Sequence, residues 1–266
     1  RIRRHTDLSP YAPLRLKIPK TTRTVFAKSN KQKLVTHSRN GAKIYTPPIL
    51  NESLAFRIQT TLTENSFRVR LLRVTYIDNS KDNVVDTNYA FLIEHRDQLA
   101  KRVGKEVSRA EATTVGALDG RETKISSVFQ YFIGNTDFSP IKGVPGEPCC
   151  HNHVLLKDGE DKMLSIPYDF DITGIVDAPY AVPNPRFKLR NVRERLYRGR
   201  CANNEYLDST LQLFRDKRQA IHELVESVPG FSKKSIKKAS RYIDEFYATI
   251  DSPKRVERYL VGRCLR

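Results

Sequence analysis

Acidic residues are scarce in this chain: 30 Asp and Glu stand against 47 Lys and Arg over 266 residues, a formal net charge of +17. No run of 18 or more apolar residues occurs, so no transmembrane helix is expected. Internal repeats and low-complexity tracts are absent. So are zinc-finger spacings, RNP motifs and basic leucine-zipper patterns, which leaves the excess charge without a motif that reads nucleic acid. Neither an initiator Met nor a signal-like start precedes Arg1-Ile2-Arg3-Arg4, so a trimmed fragment is expected. What is present is enough for a core. Apolar residues make up 39% of the chain and include 12 Phe and 12 Tyr, which excludes intrinsic disorder as the main state. The length fits one large domain or two small ones.

The charge is unevenly placed. Residues 1–46 carry a net +11, residues 47–180 a net −4 and residues 181–266 a net +10. A solvated surface would account for this, and so would attraction for phosphates of a nucleotide, a nucleic acid or an anionic lipid.

Cysteines are few: Cys149 and Cys150 are adjacent, and Cys201 and Cys264 lie far along the chain. In an oxidising compartment the neighbouring pair could bridge to the two distant ones, and in a reducing one all four would stay thiols. The run Cys149-Cys150-His151-Asn152-His153 suggests metal binding at first sight. Adjacent side chains converge poorly on one ion, however, so thiols or disulfides are favoured over zinc.

Alternation predicts a strand over Leu14–Ile18 and, in part, over Phe67–Ile77, while Lys33–His37 is a short strand candidate and Tyr89–Ile93 a buried one. Pro47-Pro48 is expected to break the chain before a helix capped at Asn51-Glu52 and carrying Leu54, Ala55, Ile58 and Leu62 on one face. Asp78–Asp86 reads as a polar turn and Asp97–Val103 as a short helix or connection. An aromatic helix follows over Ser126–Ile133, then a loop rich in Pro and Gly over 140–148. Val154–Leu156 and Met163–Ile166 flank Asp158-Gly159 as a hairpin. From Asn191 the chain reads as mostly helical, with helices over Tyr206–Val225 and Ser232–Ile250 parted by Pro229-Gly230. The fold class is therefore α+β, a small β-rich N-terminal part followed by a mainly helical part, with a boundary near residue 95.

The most informative stretch is 131–180. A helix ends by presenting Asp137, Asn152 precedes the first hairpin strand, and Asp169 and Asp171 follow the second. One hairpin would bring Asn152 near Asp169. Asp and Asn oxygens are hard ligands suited to Mg2+ or Mn2+, and Asp137 could orient or deprotonate a hydroxyl. Taken singly, each is an ordinary turn residue.

The order Ile133-Gly134-Asn135-Thr136-Asp137, His151-Asn152, Pro167-Tyr168-Asp169-Phe170-Asp171 resembles the catalytic segment of atypical protein-kinase-like enzymes, the spore-coat CotH kinases and the HipA-type kinases. It is also similar to an uncharacterised bacterial family with CCHN and YDFD segments, often exported, which implies an exported or periplasmic protein. The resemblance implies a two-lobe kinase-like fold, residues 1–95 forming the nucleotide-binding lobe and 96–266 the catalytic lobe. It also implies Asp137 as catalytic base, Asn152 and Asp169 as metal residues with Asp171 as a second candidate, and ATP and Mg2+ as cofactors. A kinase small lobe needs a strand Lys on the phosphates and a helix Glu to hold it. Lys33 braced by Glu52 is preferred, with Lys17 as the alternative, and the strand Phe91–Glu94 would contact the adenine.

The pattern departs from ordinary kinases in several ways. Residues 1–13 contain no Gly, so the phosphate-covering hairpin is expected at or before Arg1. His-Arg-Asp and Asp-Phe-Gly are missing, and the loop between Asp137 and Asn152 is long. Two further readings compete. Asp169-Phe170-Asp171 could be the D-x-D motif of a metal-dependent glycosyltransferase. The chain could instead be a pseudokinase or basic binding protein without catalysis. Val192–Arg200 reads as an exposed helix face, or as a site for an acidic or phosphorylated acceptor.

Overall fold

The computed structural model describes residues 14–17, 31–36, 46–78, 83–147, 149–157 and 162–266. Strands β1 (Leu14–Lys17), β2 (Lys31–Val35), β3 (Val69–Asp78) and β4 (Asn83–Ile93) form one antiparallel sheet in the order β1-β2-β4-β3. Helix α1 (Thr46–Leu62) joins β2 to β3. After helix α2 (Arg96–Arg102), strands β5 (Glu106–Val107), β6 (His153–Lys157) and β7 (Leu164–Pro167) make a second antiparallel sheet, with helix α3 (Gly120–Ile133) between β5 and β6. Helices α4 (Leu207–Asp216), α5 (Arg218–Glu226), α6 (Lys233–Ile250) and α7 (Pro253–Tyr259) complete the chain. The class is α+β, as expected. Among the described residues no helix is long and apolar enough to cross a membrane.

The period-2 alternation of the large sheet sorts its side chains. Val35, Phe91, Ile93, Val69 and Leu71 turn to one face and join α1 in the main core. Leu34, Ala90, Leu92, Leu72 and Val74 pack together on the other. The main core is continuous across residue 95: Leu54, Phe56 and Ile58 of α1 share it with Phe129 and Phe132 of α3 and Phe246 of α6. Phe132 and Phe246 meet edge to face with centroids 4.9 Å apart. Each such ring contributes roughly 1.5–3 kcal/mol by leaving water.

Several boundaries differ from expectation for identifiable reasons. Helix α1 begins at Thr46, so Pro47 and Pro48 lie in its first turn, where the missing N–H groups would be unpaired in any case. Helix α3 begins six residues before Ser126. Asp119 caps it by accepting from the Glu122 amide at 2.8 Å, and Gly134 ends it at φ 68°. β4 starts within the expected polar turn. The Tyr206–Val225 helix is two helices broken at Lys217. The hairpin of β6 and β7 is present, and its Asp158-Gly159 turn lies outside the described residues.

The largest correction concerns the segment from Asn191 to Arg200, which is not helical. Asn191 claims the backbone there: its side chain accepts from the Arg193 amide at 3.0 Å and its carbonyl from the Glu194 amide at 3.3 Å. The cysteines also pair otherwise than considered, Cys149 with Cys150 and Cys201 with Cys264. The second bridge ties the C-terminal tail to residues 199–201, where the Leu265 amide donates to the Gly199 carbonyl at 2.8 Å.

Candidate active site

The site is assembled where α3 ends. A Cβ on Gly134 would run into the Tyr242 hydroxyl and the backbone of Gly174, so this αL turn requires glycine. Backbone bonds from Gly174 to Gly134 (3.2 Å) and from Ile175 to Ile133 (3.0 Å) lash the end of α3 to the stretch following Asp171. The chain then turns through Asn135, whose side chain accepts from the Asp137 amide at 2.8 Å.

Asp137 is held from three sides. His151 Nε2 lies 2.8 Å from its Oδ1, and Asn152 Nδ2 donates to its Oδ2 at 3.1 Å and to its backbone carbonyl at 2.7 Å. Arg198 Nη1 donates to the carbonyls of Thr136 (2.7 Å) and Phe138 (2.8 Å), bracketing Asp137, while its guanidinium lies against the rings of Phe138 and Phe187. Burial alone would raise the Asp137 pKa. The bond and charge of His151, the Asn152 bond and the charge of Arg198 outweigh it and hold the carboxyl below its usual range. The side chain remains 34% exposed, so a ligand can reach it.

The β6–β7 register pairs His153 with Pro167, and the Tyr168 amide donates to the Asn152 carbonyl at 2.9 Å. Asn152 and Asp169 therefore flank the base of one hairpin. Both adopt the left-handed region, at φ 54° and 66°. Asp169 is partly exposed, and its carboxylate makes no hydrogen bond or ion pair among the described residues. Asp171 is buried. Between them Phe170 is fully buried, with its ring 4.5 Å from that of Phe56 and 5.4 Å from that of Phe129.

The N-terminal candidates are distributed differently. Glu52 is buried on α1, one turn before Phe56, and the neighbouring Asn51 Nδ2 donates to the Val176 carbonyl at 3.4 Å. Lys33 is exposed on β2, on the strand face of Val35, and forms no ion pair with Glu52 among the described residues. Lys17 ends β1 opposite Lys31, and its side chain lies outside the described residues. The Glu94 carboxylate is occupied: Arg102 donates to both oxygens at 3.0 and 2.9 Å, and the Arg68 amide also donates to it. Glu94 thus pins the end of β4 to α2.

Sequence reasoning noted His151 and the Arg-rich run without assigning either to Asp137. The available signals were a histidine beside Asn152, a reach set by the hairpin, and an arginine in a segment that Asn191 keeps from coiling. His153 is structural. It is fully buried, stacked on Phe138 and bonded to Gln130 and Ser165, and burial lowers its pKa to about 3. Among the described residues no group of three or more His, Cys, Asp or Glu side chains gathers as a metal site. No family model matches the chain, and no curated protein matches it in sequence.

Proposed function

We propose that the chain is an ATP-using, Mg2+-dependent phosphotransferase of kinase-like two-lobe design, with residues 1–95 as the nucleotide lobe and residues 96–266 as the catalytic lobe. The observation that carries this reading is the convergence on Phe170. The residue between Asp169 and Asp171 packs on Phe56 of the helix that bears Glu52, while the following stretch is bonded to the turn that leads to Asp137. Phosphoryl transfer is mainly positioning and electrostatics, and it needs these groups in fixed relation.

The donor set fits Mg2+, which takes one or two carboxylates and completes its shell with water and phosphate oxygens. Asp169 offers a carboxylate that is unpaired among the described residues. Asn152 commits its amide nitrogen to Asp137 and keeps its amide oxygen free of hydrogen bonds among the described residues. Asp171 is the further metal candidate. A bound Mg2+ would neutralise charge on the phosphates.

Asp137 orients the acceptor hydroxyl and takes its proton. Each of its oxygens accepts one bond from the protein and has a lone pair left for the hydroxyl. Its depressed pKa keeps it ionised at neutral pH. Lys33, or Lys17, meets the nucleotide phosphates from the sheet, with Glu52 as the bracing carboxylate. Both sheets are antiparallel, unlike the parallel βαβ units of nucleotide-sugar folds, so the D-x-D glycosyltransferase reading gains no support.

The test is nucleotide binding and turnover in one preparation. ATP with Mg2+ should raise the melting temperature and UDP-sugars with Mn2+ should not. Asp169→Ala should lose the metal-dependent part of ATP binding, and Asp137→Asn should bind ATP yet lose transfer. Wild-type protein indifferent to ATP and Mg2+, or Asp169→Ala binding them unchanged, would sink the reading.

A further inference from the structure

The basic residues of the last third of the chain fall into two groups. Some are consumed by the fold: Arg195 donates to the Phe132 and Tyr242 carbonyls at 3.1 and 2.6 Å, and Arg198 holds the Asp137 loop. Arg190 pairs with Glu194, Arg241 with Glu245, and Arg193 and Lys238 share Asp177 at 3.4 and 2.7 Å. Several others have no such use. Arg186, Lys188, Lys233, Lys234 and Lys237 are exposed and form no ion pair among the described residues.

Four of these cations fall in two places. Arg186 and Lys188 flank Phe187, whose ring lies 4.9 Å from the Arg198 guanidinium, so they sit beside the Asp137 loop. Lys234, Lys237, Lys238 and Arg241 recur at i, i+3, i+4 and i+7 along α6, one stripe opposite its buried Ala239, Tyr242, Ile243 and Phe246. Through Lys238 and Arg193, Asp177 ties α6 to the segment that also carries Arg198, and the Arg193 guanidinium lies 4.7 Å from the Tyr242 ring.

We propose that these two groups together dock one acidic polypeptide and deliver its hydroxyl side chains to Asp137, so that the acceptor is a Ser- or Thr-bearing protein segment rich in Asp and Glu. Charge complementarity sets the sign of the partner. Two features select a polypeptide over nucleic acid. Asp177, Glu194 and Glu245 interrupt the patch, which suits separately spaced carboxylates better than a continuous phosphodiester chain. The aromatic rings beside these groups are engaged, Phe187 by Arg198 and Tyr242 by burial, which leaves little for base stacking. Delivery to Asp137 rests on the phosphotransferase reading, whereas the docking itself does not.

The experiment is fluorescence anisotropy on the full chain, without nucleotide, using labelled Glu-Ser, Gln-Ser and Lys-Ser repeat peptides and a single-stranded oligonucleotide. The Glu-Ser peptide should bind in a salt-sensitive way, with the Gln-Ser peptide roughly tenfold weaker and the Lys-Ser peptide silent. Arg186→Glu with Lys188→Glu, and Lys234→Glu with Lys237→Glu, should each weaken Glu-Ser binding roughly tenfold. The corresponding Gln variants, with unchanged melting temperature, guard against misfolding and should show a smaller loss. Equal binding of the Glu-Ser and Gln-Ser peptides would overturn the proposal. So would charge-reversed variants that bind like wild type, or an oligonucleotide that outcompetes the Glu-Ser peptide on the same residues. Patch-dependent binding with no phosphate transfer to the peptide once ATP and Mg2+ are added would uphold the docking and defeat its delivery to Asp137; failure of ATP and Mg2+ to bind at all would defeat the phosphotransferase reading separately.

Discussion

Phe170 stands with its ring 4.5 Å from that of Phe56, and Phe56 lies one helical turn beyond Glu52. This contact couples the acidic Asp169–Asp171 segment to the helix of the N-terminal sheet. Phe170→Ala should open a cavity at a fully buried ring and cost about 3–5 kcal/mol in denaturant unfolding. Phe170→Leu should keep most of the stability, and on the proposed mechanism it should lower turnover more than a surface substitution does. Full turnover in Phe170→Leu would show that the contact is packing alone.

Asp137→Asn is close in shape and removes the charge that His151 and Arg198 favour. Turnover should fall by about 10²–10⁴, and the fold should persist with a smaller unfolding free energy at neutral pH. Because the folded pKa of Asp137 is depressed, its contribution to stability is present above the unfolded carboxyl pKa. That contribution is lost as pH falls through the folded value, on the acid side of 3.8. Acid titration followed by circular dichroism should find Asp137→Asn less sensitive than wild type in that range.

Arg198→Met would keep an apolar stem between Phe138 and Phe187 and leave the Thr136 and Phe138 carbonyls without their donor. A loss of about 2–3 kcal/mol is expected from guanidinium unfolding curves. Turnover should fall further than this loss explains, because the freed carbonyls belong to the residues on either side of Asp137. A variant as stable as wild type would remove the strap from this account.

His153 titrates at about 3 in the fold and near 6.5 when unfolded. Between those values the unfolded chain binds the additional proton, so stability rises with pH by roughly 1.4 kcal/mol per unit from this group. Above 6.5 its contribution is flat. Lys124 acts alike on the alkaline side. Burial lowers its pKa to about 8 in a site where it donates to Tyr197, Arg200 and Asn204, so stability should rise again from about 8 to the unfolded lysine value. Unfolding free energies measured from pH 4 to pH 10 would test both slopes, and His153→Gln should flatten the first.

The Cys201–Cys264 bridge has a sequence separation of 63. A loop of that size stabilises by about 4 kcal/mol on the chain-entropy account. Cys201→Ser with Cys264→Ser should lower the melting temperature and release the tail from Gly199, visible as faster amide exchange at Leu265. An unchanged melting temperature would mean that backbone pairing alone holds the tail.

Much of the framework was legible because its signals are local. Alternation marked β1 and part of β3, short strand-like runs marked segments of β2 and β4, and apolar spacing marked α1. Asp119 is an N-cap signal that would have placed the start of α3. The Arg-rich run is not the helix face expected from its sequence, because Asn191 engages the amides of Arg193 and Glu194.

The candidate site divides along the same line. The sequence by itself determined the residue types and their order, a carboxylate after a helix stop and oxygen donors at each end of a hairpin, since two-strand pairing brings those ends together. Which groups would surround Asp137 was beyond it. His151 approaches across a 14-residue separation and Arg198 from 61 residues downstream. Their convergence depends on the crossing of Gly134 with Gly174 beneath Tyr242. Such long-range contacts leave no periodic trace in the chain, because they are set by the packing of a shared core and not by the spacing of neighbours.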